Sequence, residues 1–150
     1  MKKSSLIILF VTTLLFTQTA TEKSATDSAL KFMNDYAAFC DNDSNSLTDN
    51  EWVEKNSMLT KTFKQTHKKI IYDSERSEEG LGVDPIFDAQ DYPDSGFVFH
   101  KIDDSGQYIT LKGKDWPEFQ VVVKVIMISK RWLVDGAGIV NIEPAKRAAR

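Results

Sequence analysis

A single cysteine, Cys40, stands in the 150 residues, so no disulfide can form within the chain and the fold rests on its apolar core. With Tyr36, Ala37 and Phe39 as neighbours, Cys40 reads as a small buried hydrophobe rather than a nucleophile. Long apolar runs are missing too. Residues 6–16 form a run of eleven interrupted by Thr12 and Thr13, well short of the about 20 residues that a spanning helix needs. There are two histidines, His67 and His100, and neither belongs to a cluster with metal-ligand spacing, which excludes the usual zinc sites. A glycine-rich phosphate loop, a Gly-x-Ser-x-Gly elbow and a Cys–His nucleophile signature are all lacking, so no cofactor is expected.

What the chain does have begins with Lys2 and Lys3, followed by the apolar run and by small or polar residues ending at Ala20. This is the layout of a secretory signal peptide, with cleavage expected after Ala20 although Gln18 occupies a place where a small residue is preferred. No cysteine lies near that site to carry a lipid. The expectation is an exported protein, periplasmic or secreted, with a leader at 1–20, one domain over 24–143 and a flexible basic tail at 144–150. The mature 130 residues would carry 17 basic and 22 acidic side chains, a net charge of −5. Nucleic acid and anionic membranes are therefore poor partners, since both call for a concentrated basic surface.

Along the chain, Leu30, Met33, Ala37 and Cys40 recur at helical spacing over residues 27–40, with Phe32, Tyr36 and Phe39 widening the stripe. A polar cluster at 41–46 ends that helix. Asp41, Asp43 and Asn45 alternate as in a calcium loop, but Ser46 replaces the turn glycine and Trp52 stands where a closing Glu is needed, so a solvated loop is the better reading. Thr48 and Glu51 form a capping box at the start of a second helix, with Leu47 and Trp52 placed as a hydrophobic staple. Val53, Leu59, Phe63 and Ile70 continue an apolar side to Tyr72, and a break is expected near Ser57, itself a plausible N-cap. Lys61, Lys64, Lys68 and Lys69 lie on other faces and read as solvated, and His67 falls on the helix among these lysines. After a glycine-punctuated loop the period becomes strand-like, at 96–102, 107–112, 118–129 and 131–135. Phe119, Val121, Val123, Val125 and Met127 predict one wholly apolar strand face. The fold class expected is α+β, with two or three N-terminal helices packed on a curved antiparallel β-sheet that leaves a concavity at one end.

The segment Asp84-Pro85-Ile86-Phe87-Asp88-Ala89-Gln90-Asp91 and the closing Trp132-Leu133-Val134-Asp135 strand resemble a family of small exported bacterial proteins of unknown function within the nuclear-transport-factor-2-like, cone-fold superfamily. The resemblance covers roughly residues 27–142. Departures are the missing lipid-attachment cysteine and a closing strand that runs into Gly136-Ala137-Gly138. It implies the cone and a possible homodimer, because open sheet faces of this fold commonly pair. It implies no reaction, since the superfamily holds isomerases, dehydratases and non-catalytic binding domains.

Asp84, Asp88 and Asp91, with Gln90 between them, bring three carboxylates beside apolar residues. A desolvated member would be a general base or a ligand-orienting acceptor; as turn and cap residues they would be structural. Asp135, following Trp132 on the last strand, is either cavity-lining or salt-bridged. His100 could pair with such an acid, or simply face outward. Trp116-Pro117 and Phe119 could form an aromatic lip, or protect a sheet edge. The favoured function is a non-catalytic module binding a small apolar or amphipathic ligand or a protein partner. The alternatives are an acid–base enzyme of isomerase or dehydratase type and an antitoxin-like immunity protein.

Overall fold

The computed structural model describes residues 5–44 and 46–149, with side chains from residue 21 onward. The first four residues of the expected leader, Asn45 of the acidic loop and Arg150 of the tail lie outside the described residues.

Helix α1 (Ser5–Cys40) starts well before the apolar stripe that marks it in the sequence. Ala25, Ala29, Phe32, Met33, Tyr36 and Ala37 are buried along one side, so the spacing of three and four places the stripe against the rest of the molecule. Helix α2 (Asp49–Lys55) opens on the capping box. Thr48 Oγ1 accepts from the Glu51 N–H at 3.3 Å, and the Glu51 carboxylate accepts from the Thr48 N–H at 2.8 Å. Helix α3 (Lys61–Glu75) is capped by Thr60, not Ser57. The reason is tertiary. Thr60 Oγ1 accepts from the Phe63 N–H while its O–H donates to Asp135 at 2.8 Å, and the Thr60 and Val134 N–H groups bond across to Val134 and Met58 carbonyls. Residues 58–60 thus lie against the sheet and fix where the helix can begin.

Strands β1 (Phe97–Ile102), β2 (Tyr108–Gly113), β3 (Gln120–Ile128) and β4 (Arg131–Ala137) form an antiparallel sheet in the order of the sequence, curved and open. The fold class is α+β. Bulges between Phe99 and Lys101 and between Lys124 and Val125 add local bend and twist. Val121, Val123 and Val125 are buried beside Leu111, Ile109 and Val134, which makes this the core face. Met127 departs from the expected wholly buried face and is 51% exposed. It sits one residue from the β3–β4 turn, where Ser129 and Lys130 take positive φ and the hairpin tip extends into solvent.

Between α1 and the sheet the interior is filled by aromatic rings in contact, edge-on, tilted and stacked. Phe32 meets Phe63, Tyr36 meets Phe87, Phe87 meets Phe97, and Phe97 meets Phe119, with centroids between 5.0 and 6.0 Å apart. The last ring in this path is Trp116, 5.1 Å from Phe119 and at the surface. Among the described residues no helix is long and apolar enough to cross a membrane.

Candidate functional site

The segment between α3 and β1 is built around Asp84. One carboxylate oxygen accepts from the Ile86 and Phe87 N–H groups at 2.7 and 2.8 Å, and the other accepts from the Tyr36 hydroxyl at 2.6 Å. The Asp84 N–H donates to the Ala89 carbonyl, and the Asp88 N–H returns to the Asp84 carbonyl, closing a tight loop in which Asp88 has φ 56°. Burial raises the pKa of Asp84, outweighing the three hydrogen bonds that favour its charged form. The same burial, with Asp84 alongside, raises the Tyr36 hydroxyl and pushes the Cys40 thiol up to about 12. Cys40 is thus a poor thiolate at neutral pH.

This loop is held from behind by Gly138, whose φ is +56°. A Cβ there would lie 2.5 Å from the Pro85 and Ile86 carbonyl oxygens, so only glycine lets the chain after β4 approach so closely. Gly113 does the same at the end of β2, where a Cβ would meet Pro93 and the Trp116 carbonyl at 2.5 Å. Further bonds join the two loops: the Ser95 N–H donates to Asp115, and the Lys114 N–H donates to Gly96.

These closures leave a groove of about 430 Å³ at the rim of the sheet. One wall is Ala89, Gln90 and Asp91; the other is Trp116, Glu118 and Phe119, with Ala149 at the edge. Trp116 is 44% exposed, while Phe119 is buried at the base. The Gln90 amide is oriented by its bond to the Gly82 carbonyl at 2.9 Å, which leaves its carbonyl oxygen as an acceptor. The groove can hold an apolar body against the rings and a polar head between the carboxylates.

The other sequence candidates go elsewhere. Asp135 lines a second groove of about 450 Å³, with Thr62, Thr66, Lys124 and Asn141. It pairs with Lys124 at 3.1 Å and accepts from Thr60, so its carboxylate is engaged. Burial works to lower the Lys124 pKa, but the bond and charge of Asp135 outweigh it and the net shift is upward. His100 is exposed at the bulge of β1, on the sheet edge opposite β4, so it does not pair with Asp135. Trp132 packs against the core opposite Met127. The structure therefore brings Gln90 and Asp91 together with the Trp116 lip, and separates them from His100, Trp132 and Asp135.

Sequence reasoning passed over Glu118, whose position just before β3 becomes part of a wall only once the 84–91 loop is folded against it. It also gave His67 no place beyond a helix among lysines. His67 is 1% exposed and stacks on Phe63, and neither ring nitrogen has a hydrogen-bond partner among the described residues. Burial lowers its pKa, against a smaller upward pull from Asp49 and Glu54. Among the described residues no three His, Cys, Asp or Glu side chains gather as a metal site. No protein family, curated protein or solved structure matches the chain.

Proposed function

We propose that this chain is an exported, non-catalytic binding module of the cone-fold kind, and that the groove between Gln90–Asp91 and Trp116–Phe119 is where it takes an amphipathic ligand. The groove carries this reading. Its volume falls in the range of about 300–1,000 Å³ that ligand sites occupy, and a ring floor with a few oriented polar groups is their common composition. The acid–base alternative has Asp84 as its most desolvated carboxylate. That carboxylate already accepts three hydrogen bonds that shape its own loop, which favours a structural role. An immunity-type protein would instead cover a partner enzyme with this rim.

Native mass spectrometry of the protein purified from its host tests the reading. The expected spectrum shows a chain beginning at Thr21 with a small-molecule adduct that a Trp116→Ala variant lacks. A one-to-one protein complex would favour the immunity reading. A bare mature chain would contradict the ligand-binding reading, and a chain retaining residues 1–20 would contradict export.

A further inference from the structure

The geometry points to an organic cation, an ammonium or guanidinium group on an apolar body, as the ligand class of the rim groove. This inference rests on the binding reading above. The two loops that form the groove carry Asp91, Asp94, Asp115 and Glu118, all exposed, against one cation, Lys114. They are held together by the Ser95–Asp115 and Lys114–Gly96 bonds, so their charge is concentrated at one end of the molecule. Asp91, Glu118 and the exposed Trp116 all line the groove, Asp91 from the segment before β1 and Glu118 and Trp116 from the segment before β3. A cation seated there has a carboxylate from each loop and an indole in the lining, the chemistry that favours positive charge over neutral or negative groups. The Gln90 carbonyl adds an acceptor for an N–H donor, since its amide nitrogen is committed to Gly82. In the C-terminal segment Lys146 is paired with Asp103, and Arg147 donates to the Ile142 carbonyl.

The test is calorimetric titration of the mature protein with three probes of equal chain length: hexylammonium, hexanol and hexanoate. Hexylammonium is expected to bind at least about tenfold tighter than either of the others. The Asp91→Asn/Glu118→Gln double variant should keep apolar binding and lose the preference, and Trp116→Ala should weaken all three. All three side chains are exposed, so circular dichroism is expected to show the variants folded as the parent. Equal binding of the three probes would overturn the cation inference while leaving the groove as a ligand site. A preference that survives in the double variant would also overturn it. Binding of none of them would remove both the inference and the reading it rests on.

Discussion

Asp84, half-buried, and His67, buried, are two ionisable residues whose placement departs from the ordinary behaviour of their residue types. Asp84 serves as the hub of its loop, so removing it frees the Tyr36 hydroxyl and the Ile86 and Phe87 N–H groups at once. Asp84→Ala is expected to destabilise by roughly 3 kcal/mol, and Tyr36→Phe by about 1–2 kcal/mol, read as shifts in urea midpoint at constant slope. His67 acts through protonation. Its folded pKa lies below the unfolded value of about 6.5, so the unfolded chain binds more protons in the window between the two. Its contribution to stability is fully present above about pH 7 and declines as pH falls through the unfolded pKa toward the folded one. His67→Leu should leave the protein at least as stable at about pH 8 and flatten the loss as pH falls below about 7, because it replaces two unpartnered ring nitrogens with apolar surface. An unchanged pH dependence in that variant would remove His67 as its source. The turn role of Asp84 was legible in the sequence, because Asp is chiefly a turn and cap residue; the burial of His67 was not, since it follows from how α3 sits in the fold.

Elements were more legible, because caps and periods are local. The Thr48–Glu51 box, the stripe of α1 and the alternation of β3 each forecast an observed element. The start of α3 was not legible, since the choice of Thr60 over Ser57 depends on Asp135, far along the chain. Thr60→Val should therefore cost about 1–2 kcal/mol, by losing both the cap and the donor to Asp135, whereas Thr60→Ser should fall within about 0.5 kcal/mol of the parent. Thermal unfolding followed at the helical signal checks the pair. A loss confined to Thr60→Ser, with Thr60→Val as stable as the parent, would mean that the methyl group, not the hydroxyl, carries the effect. The exposed Met127 shows the limit of period counting: alternation identifies a face, but the length of strand that the helices cover is a tertiary matter.

At the scale of the whole molecule, an aromatic path leads from the helix–sheet interior to Trp116, and the loops on either side of its end carry most of the local negative charge. The acidic segment and the aromatic lip were both visible in the sequence as separate features. That they face each other was not, because it depends on the close approaches at Gly113 and Gly138. The second groove, around the Lys124–Asp135 pair, is the structural competitor for any ligand. The most direct measurement is the amide and indole NMR spectrum of the mature protein during addition of hexylammonium. The account predicts saturable shifts at residues 89–91, at Trp116, Glu118 and Phe119 and at the Trp116 indole N–H, with the Trp52 and Trp132 indoles unmoved. Shifts centred on Thr62, Lys124 and Asn141, or no saturable shift at Trp116, would contradict it.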